Sequence, residues 1–261
     1  MATKNFSTEK YAGFLEEISA FVPSDCIYTD ELRTLAWGTD ASFYRQIPQV
    51  VVRSDNEEQV AKIVKACQKH HLPFTFRAAG TSLSGQSCTD SVLIVAGKHW
   101  EKYEIIDHSS DAKLMAKDQR SAVNIKLQPG IVGAKVNEIL KPLGRVFPPD
   151  PASIGSAMEG GIVCNNASGM NCGVHANSDR MMVSARIILT DGTIVDTGDE
   201  QSKNEFRKSH PEFIKKIEQL RDRVRSDKEL SDRIQKKYSI KNVTGLNMRP
   251  LLAYDDPFEI M

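Results

Sequence analysis

The stretch of sequence that decides the fold is residues 48–86, PQVVVRSDNEEQVAKIVKACQKHHLPFTFRAAGTSLSGQ. The β-branched run at 49–53 predicts a buried strand, and residues 72–76 predict another. Between them, residues 54–70 predict an amphipathic helix with Ser54 as its N-cap. The apolar face of this helix consists of Val60, Ile63, Val64 and Cys67. Because the links between these elements are short, the pattern favours a βαβ unit with parallel strands.

A polar, flexible loop follows the second strand at 76–86, FRAAGTSLSGQ. Gly80 and Gly85 permit positive φ, and successive free N–H groups in such a turn form a concave nest for an anion. Arg77 either reinforces that nest or caps a carbonyl group. The loop matches neither the Walker pattern nor G-x-G-x-x-G, so a purely structural turn stays open. A bound phosphate group is the functional alternative, because ligands gather at the carboxyl ends of strands in open α/β sheets.

A second unusual segment lies at 147–173, FPPDPASIGSAMEGGIVCNNASGMNCG. It concentrates glycine, asparagine, serine and proline over many positions, and long loops of this kind are usually functional. Two such segments in one chain indicate a long ligand with a phosphorylated middle and two different ends. A dinucleotide has that shape.

The remaining elements predict an α+β fold with two lobes around the ligand. A strand at 92–96 completes the parallel lobe, and strands at 103–108, 112–117 and 121–130 begin a mostly antiparallel one. Further elements are a helix over 7–21, a helix over 132–140 and a hairpin over 184–197 with its turn at Asp191–Gly192. The charges of both signs over 204–237 predict a solvated amphipathic helix rather than a binding surface.

Composition excludes several classes of function. Lys+Arg and Asp+Glu number 34 each, so no strong net field attracts nucleic acid. The longest apolar runs are too short for a membrane span, and the N-terminus lacks the apolar core of a signal peptide. Five scattered cysteines favour reduced thiols and a cytoplasmic location, with Cys164 and Cys172 as buried small side chains rather than a redox pair. No cysteine or histidine spacing is typical of a zinc or iron–sulfur site, so no metal ligand is predicted.

Three stretches together carry a resemblance to a known family: 48–86, 147–169 and 185–198, the last being ARIILTDGTIVDTG. They resemble the FAD-binding domain of the vanillyl-alcohol oxidase/PCMH superfamily, in particular the FAD-linked D-lactate and related 2-hydroxy acid dehydrogenases. The likeness implies a PCMH-type FAD-binding domain over 47–261. A helical extension at 1–46 is expected before this domain. Within the domain, the expected parts are lobe 1 at about 47–98, lobe 2 at about 99–200, the charged helical segment at 204–237 and an incomplete C-terminal part to 261.

The resemblance also implies which residues hold FAD. In the family the first loop binds the diphosphate through backbone amides, which implies Arg77, Gly80, Thr81, Ser82, Leu83, Gly85 and Gln86. The second segment lines the ribityl chain and the flavin, which implies Asp150, Ser153, Gly160, Gly161, Asn165, Ser168 and Gly169. A strand at Ile187 and Ile188 would bracket the adenine, and residues 241–247, KNVTGLN, resemble a later segment near the cofactor.

Two positions depart from the family pattern. Members with covalent flavin carry a histidine where this chain has Thr81, so FAD is expected to be noncovalent. Met158 and Glu159 stand where members often have a hydroxyl or apolar pair. Because a carboxylate beside a diphosphate is repulsive, Glu159 is expected to face solvent rather than to act in catalysis.

The implied reaction is hydride transfer from a D-2-hydroxy acid, D-lactate-like, to FAD. Family members continue past a segment like residues 255–261, DDPFEIM, into a substrate (cap) domain with clustered histidines, so that domain is expected to be missing from this chain. No catalytic residue is assigned; His175 is the only local candidate for a base, and a structural or solvent-facing role is favoured for it. The electron acceptor is unknown, an iron–sulfur module being one candidate. Two alternatives stay open: a flavin-binding fragment or subunit without turnover of its own, and a nucleotide-binding regulatory module without flavin.

Overall fold

The computed structural model of the chain describes residues 8–96, 99–107, 123–170, 172–242 and 247–261. Contacts group the chain into two compact units, the first comprising Met1–Phe147 and Ser153–Ile162 and the second Pro148–Ala152 and Val163–Met261. The lobe boundaries inferred from the sequence stay a prediction; in this grouping the residues just beyond 98 belong to the first unit. The predicted extension over 1–46 belongs to the same unit.

A four-stranded sheet with the order β1-β2-β4-β3 forms the centre of the first unit. Its strands are β1 (Ile27–Tyr28), β2 (Val50–Ser54), β3 (Phe74–Arg77) and β4 (Val92–Ala96). β2, β4 and β3 are parallel, whereas β1 pairs with β2 antiparallel at one edge. The predicted parallel pairing is confirmed, with β4 inserted between the two strands of the predicted βαβ unit.

Continuous apolar runs explain why β2 and β4 lie in the middle of this sheet. Val50–Val52 and Val92–Ile94 are buried throughout, as expected for strands covered on both faces. Helices α1 (Thr8–Ser19) and α3 (Glu57–Lys69) pack against each other. A separate cluster joins Tyr28, Val51, Leu93 and Val95 to Trp37, which follows the short helix α2 (Glu31–Ala36).

The start of α3 corrects one prediction. Asn56 is the N-cap, and its side chain accepts a hydrogen bond from the N–H of Gln59 at 2.9 Å. Gln59 Oε1 in turn accepts from the N–H of Asp55. Ser54 is not the cap, because it ends β2, is buried and donates its hydroxyl to Val95 O. The apolar face predicted for the helix is confirmed, since Val60, Ile63, Val64 and Cys67 are all buried.

Two strands and two helices complete the described part of the first unit. β5 (Tyr103–Asp107) and β6 (Val123–Leu127) form an antiparallel pair, as predicted, whereas the strand predicted at 112–117 lies outside the described residues. Helix α4 (Gly133–Leu140) confirms the helix predicted there and packs against Ile131. Helix α5 (Glu159–Cys164) begins in this unit, and short 3₁₀ turns occur at Ser24–Cys26 and Lys141–Leu143.

The second unit contains the predicted hairpin. After the short helix α6 (Ser178–Met181), β7 (Arg186–Ile188) pairs antiparallel with β8 (Ile194–Asp196). Gly192 has φ +79° in the turn, and Asp191 Oδ1 accepts from the N–H of Thr193 at 2.8 Å. The Asp-Gly turn signal therefore predicted this element correctly.

The charged segment predicted as one helix over 204–237 is divided among three helices, α7 (Glu200–Ser209), α8 (Pro211–Ser226) and α9 (Lys228–Tyr238). Pro211 fits the first turn of α8 because proline lacks the N–H that a helix interior needs. Asp227 caps α9 by accepting from the N–H of Leu230. The short helices α10 (Pro250–Ala253) and α11 (Pro257–Ile260) follow, and Phe258 joins Val195, Phe206 and Ile214 in the buried cluster of this unit.

Candidate functional site

The glycine loop, defined here as residues 77–86, lies in the connection between two adjacent parallel strands. Because β3 and β4 are parallel neighbours, the chain must return from the carboxyl end of one to the amino end of the other, which takes a dozen or more residues. Residues 78–91 make this return without a helix or a strand. Topology therefore accounts for the length of the connection, although not for its chemistry.

The chemistry of the loop lies in its backbone amides. The N–H groups of Gly80, Thr81, Ser82 and Leu83 donate to no acceptor within the described ranges of the chain. Gly80 and Gly85 both have φ +70°, a left-handed conformation that favours glycine. Ser82 Oγ donates to Gln86 Oε1 at 2.7 Å and accepts from the N–H of Ser84 at 3.1 Å. Consecutive free N–H groups in such a turn can bind the oxygens of a phosphate group.

Arg77 supports this loop by capping carbonyl groups. Its Nη1 donates to Thr39 O at 2.6 Å and to Trp37 O at 3.4 Å, and the guanidinium lies over the Trp37 ring. A Cβ added to Gly80 would come within 2.6 Å of Arg77 Nη2. Burial lowers the pKa of Arg77, and the charge of Asp40 partly offsets this shift. Of the two roles that the sequence left open, the structure shows the carbonyl cap; a contact of Arg77 with a ligand stays a prediction.

Part of the second segment lies beside the glycine loop. Ser153 forms a tight turn, its carbonyl accepting from the N–H groups of Ser156 and Ala157. Gly160 lies so close to Pro129 that an added Cβ would come within 2.7 Å of it. Gly161 is exposed, and its Cβ position is 3.9 Å from the Cβ of Ala78. The structure thus brings the double glycine of α5 to the start of the glycine loop.

Glu159 is buried, so the prediction that it faces solvent is wrong. Its side chain is 4% exposed, and Oε1 has no hydrogen-bond partner among the residues that the structure describes. Oε1 lies next to Gly133, which is also bordered by Ile154 and Ile162. This desolvation raises the pKa of Glu159 to about 7, because burial penalises the charged form. A carboxyl group that is largely neutral below that pH does not repel a phosphate, which removes the conflict noted in the sequence.

The rest of the second segment lies in the second unit and is tightly packed at Gly169. A Cβ on Gly169 would overlap the carbonyl oxygen of Asp150, so only glycine fits there. Ser168 Oγ is buried without a hydrogen-bond partner in the described chain, whereas Asn165 is exposed. Asp150 and Gly169 are therefore brought together, and Ser168 offers an unused hydroxyl nearby in the chain.

Sequence reasoning missed the residues that fix this turn. Cys172 Sγ lies 2.9 Å from Gly169 N and 3.6 Å from Asn177 Oδ1. Lys241 Nζ donates to Gly169 O at 2.7 Å. Cys172 is buried as predicted, but Cys164 is exposed. Lys241 could have been identified, because it begins the segment 241–247 that resembles a family segment near the cofactor. Residues 243–246 of that segment lie outside the described part of the chain.

Ile187 and Ile188 lie next to each other in β7, the strand predicted to bracket the adenine. Successive side chains of a strand point to opposite faces, and Ile187 packs against the cluster around Val195 and Phe206. Ile187 also lines an apolar groove of about 220 Å³ with Phe213 and Leu220. That the strand at Ile187 and Ile188 brackets the adenine stays a prediction.

The remaining candidates show no catalytic arrangement. His175 is exposed, in agreement with the solvent-facing role favoured for it. All five cysteines are unpaired. Within the described ranges, no group of three His, Cys, Asp or Glu residues could hold a metal ion. A helix long and apolar enough to cross a membrane is likewise not found among the described residues.

Comparison with known families places this geometry in context. The FAD binding domain family matches residues 48–198, which is more than half of the 261 residues. The matched range begins just before β2 and ends just after β8, so it includes the glycine loop, the second segment and the hairpin.

Several curated proteins are similar over the same part of the chain. The glycolate oxidase subunit GlcD of Bacillus subtilis is 24% identical over 162 residues, which cover 62% of this chain and 32% of that protein. The D-2-hydroxyglutarate dehydrogenase of Haemophilus influenzae is 26% identical over 174 residues, or 66% of this chain and 16% of that protein. The D-lactate dehydrogenase of Archaeoglobus fulgidus is 27% identical over 188 residues, or 72% and 38%. The chain thus spans well under half the length of these relatives.

Solved structures show the same fold at lower identity. An alkyldihydroxyacetonephosphate synthase superimposes with a TM-score of 0.57 at 19% identity, covering 71% of this chain and 35% of that protein. The predicted mixed α+β architecture of PCMH type is confirmed by this likeness and by the family match.

Proposed function

Since this chain belongs to the FAD binding domain family, we propose that it forms the cofactor-binding part of an enzyme that transfers hydride from a D-2-hydroxy acid to FAD. The chain is an FAD-binding oxidoreductase domain related to D-2-hydroxy acid dehydrogenases. Glycolate, D-lactate and D-2-hydroxyglutarate, named in its relatives, all carry a hydroxyl group on the carbon next to a carboxylate. This shared chemistry supports a 2-hydroxy acid substrate, and a D-lactate-like acid is the specific proposal.

The observation that carries the proposal is the set of free N–H groups from Gly80 to Leu83. The diphosphate of FAD has two negative charges, which need hydrogen-bond donors when they leave water. The chain has equal numbers of acidic and basic residues, so overall charge supplies no attraction. Backbone amides at positive-φ glycines are donors that suit this task, and Gly85 and Gln86 extend the same loop.

The cofactor is proposed to be noncovalent. Thr81 occupies the position at which covalent members of the superfamily carry a histidine, and its hydroxyl offers no ring nitrogen for attachment to the flavin. FAD should therefore be released intact when the protein is denatured.

The second segment is proposed to contact the ribityl chain and the flavin. In the first unit the proposed contacts are Ser153, Gly160 and Gly161, and in the second unit they are Asp150, Asn165, Ser168 and Gly169. Ser168 has the strongest support among these because its buried hydroxyl has no partner in the described part of the chain, and a buried polar group costs free energy unless it is hydrogen-bonded. The strand at Ile187 and Ile188 is proposed to bracket the adenine.

Bound FAD supplies the flavin ring that accepts hydride from the carbon bearing the hydroxyl group. The residues of this chain bind and orient that cofactor. The reaction also needs a group that anchors the substrate carboxylate and a base that takes the hydroxyl proton. We assign neither to this chain, and a substrate domain is proposed to provide both. The acceptor of the electrons is left open, an iron–sulfur module being one candidate.

A flavin-binding subunit without turnover of its own is the second candidate, because the Bacillus subtilis relative is named as a subunit of glycolate oxidase. The two functions are distinguished by mixing the FAD-loaded protein anaerobically with D-lactate, with and without the products of the adjoining coding sequence. Bleaching of the flavin band that depends on an adjoining substrate domain supports the dehydrogenase. If D-lactate does not reduce the flavin with any of the added proteins, the subunit without turnover is supported.

The cofactor assignment is tested by titrating FAD into the wild type, Gly80→Ala and the control Gly144→Ala. Both glycines have positive φ, so both variants introduce a similar backbone strain. Unlike a Cβ on Gly80, however, a Cβ on Gly144 meets nothing within 4 Å. Alanine keeps the N–H of residue 80, but its Cβ would collide with the Arg77 side chain and displace the loop amides from the diphosphate. We expect FAD affinity to fall about tenfold or more in Gly80→Ala, comparable to the loss of one charge-assisted hydrogen bond, and to stay unchanged in the control. Equal affinities in the two folded variants, or a wild type that binds no FAD, would contradict the proposal.

A further inference from the structure

A segment outside the family match holds the glycine loop in place. Residues 37–46, which we call the N-terminal strap, precede residue 48, where the FAD binding domain match begins. The strap is closed on itself by a bridge between Thr39 and Arg45 and by the N–H of Gln46, which donates to Gly38 O at 3.0 Å. The strap is therefore held in a defined conformation by its own backbone hydrogen bonds.

The strap contacts the glycine loop at both of its positive-φ glycines. The N–H of Ala41 donates to Gly80 O at 3.0 Å. A Cβ on Gly85 would come within 2.7 Å of the ring of Tyr44. Arg77, at the start of the loop, donates to Thr39 O. These contacts fix the loop at its beginning, middle and end.

Asp40 ties the strap to the residue that follows the loop. Its Oδ1 accepts from the N–H of Ser42 at 2.8 Å, and its Oδ2 accepts from Ser87 Oγ at 3.0 Å. Burial acts to raise the pKa of Asp40, but the hydrogen bonds from Ser42 and Ser87 outweigh it and hold the pKa below its usual value. Asp40 is therefore a carboxylate at neutral pH and keeps both bonds.

The direction of the Ala41 bond links the strap to the free amides. In a trans peptide the C=O and the next N–H point in opposite directions, and the described chain has no cis peptide bonds. Because the carbonyl of Gly80 points to Ala41, the N–H of Thr81 points away from the strap. The strap thus uses the carbonyl of this peptide and leaves the N–H of Thr81 available.

We propose that the N-terminal strap, and Asp40 in particular, positions the glycine loop so that its amides face the diphosphate of the cofactor. Asp40 is then a positioning residue, acting through Ser87 and through the strap backbone rather than by touching the ligand. This inference rests on the proposed function, and it extends the cofactor site to residues before the matched family domain.

The test compares Asp40→Ala, Asp40→Asn and Ser87→Ala with the control Asp30→Ala. Asp30 also lies in the N-terminal part and accepts from a backbone N–H and a side chain, both of Arg33, but these bonds cap α2. For each protein we would measure the melting temperature without ligand and the affinities for FAD and for ADP, a probe for the diphosphate half. We expect Asp40→Ala to bind both ligands about tenfold more weakly, and Asp40→Asn and Ser87→Ala about threefold more weakly, as hydrogen bonds to a charged group are removed.

A merely structural role would lower the melting temperatures of Asp40→Ala and Asp30→Ala alike and leave both affinities intact. Folded Asp40→Ala that binds FAD and ADP as the wild type does would overturn the inference, while the proposed function would stand. If Asp40→Ala does not fold, Asp40→Asn and Ser87→Ala decide, and unchanged affinities in both overturn it. If the wild type does not bind FAD, the proposed function itself is contradicted, and this result is distinct from a failure of the inference about Asp40.

Discussion

The glycine loop and the second segment look alike in sequence but use their polar groups in opposite ways. In the glycine loop, the N–H groups of Gly80 to Leu83 have no acceptor in the described chain. In the second segment, the N–H and C=O of Gly169 are taken by Cys172 and Lys241, and Asn166 Oδ1 accepts from the N–H of Asp179. These polar groups of the second segment are thus satisfied inside the protein, whereas Ser168 Oγ is not.

The comparison separates two reasons for small residues in a long loop. In the glycine loop, Gly80 and Gly85 have positive φ, a Cβ on either would also meet the side chain of Arg77 or Tyr44, and the loop leaves donors for a ligand. In the second segment, Gly160 and Gly169 lack positive φ and are needed because the ring of Pro129 and the backbone of Asp150, respectively, come too close for a Cβ. Substitutions in the first region should therefore affect ligand affinity, and those in the second should affect the stability of the fold.

The largest expected effect is on stability, from Gly169→Ala. An added Cβ would overlap the carbonyl oxygen of Asp150, and backbone must shift to relieve such overpacking. We expect a loss of about 3 kcal/mol in the free energy of unfolding. The control Gly173→Ala introduces a Cβ into open space at φ +54° and should cost about 1 kcal/mol. Urea unfolding checks both, and similar losses would mean that the second segment is not tightly packed at Gly169.

An effect of similar size is a dependence of stability on pH that arises from Glu159. Its pKa is raised to about 7 in the folded protein from an ordinary 4.5. A raised pKa means that the folded state binds more protons, so the stabilisation is full below pH 4.5 and is lost as pH rises through 7. At 1.36 kcal/mol for each unit of pKa shift, the free energy of unfolding should fall by about 3 kcal/mol over this range.

Glu159→Gln should flatten this part of the pH profile, because glutamine does not titrate. The exposed Glu212→Gln serves as the control and should leave the profile unchanged. Denaturant unfolding at several pH values between 4.5 and 8 provides the measurement. If the wild type shows no such fall, or if Glu159→Gln shows the same fall, the burial of an unpaired Glu159 carboxyl group is contradicted.

The smallest effect is expected within the glycine loop itself, from Ser82→Ala. The Ser82 hydroxyl bonds Gln86 and the N–H of Ser84, so its loss loosens the loop without removing an amide. FAD affinity should fall about threefold, the value of one ordinary hydrogen bond. Ser84→Ala is a matched control, since its hydroxyl has no partner in the described chain. Fluorescence titration of FAD distinguishes the two, and equal affinities would show that the loop does not depend on these bonds.

The sequence predicted the elements that depend on local patterns. The apolar face of α3 and the Asp191–Gly192 hairpin are confirmed because periodicity and turn chemistry act over a few residues. The cap at Ser54 was wrong because β2 extends through Ser54, and sheet pairing with Val95 and Ala96 is not visible in a local pattern. The structure divides the charged segment into separate helices at Pro211 and Asp227. Both residue types are signals for a helix start, but the prediction relied on the alternation of charges and overlooked them.

Long-range contacts explain the errors at the site. Nothing near Glu159 in the sequence indicates that Gly133, much earlier in the chain, lies beside its Oε1, so its burial could not be predicted. Arg77 was identified as a candidate, but its acceptors Trp37 and Thr39 come from a segment that the sequence assigned to a separate extension. The free amides themselves could be predicted, because they follow from glycines after a strand.

The most direct test of the central claim is a crystal structure of the protein with FAD bound. We expect oxygens of the diphosphate within hydrogen-bond distance, about 3 Å, of the amide nitrogens of Gly80, Thr81, Ser82 and Leu83. A diphosphate held elsewhere, with those amides still bound only to solvent, would contradict the account.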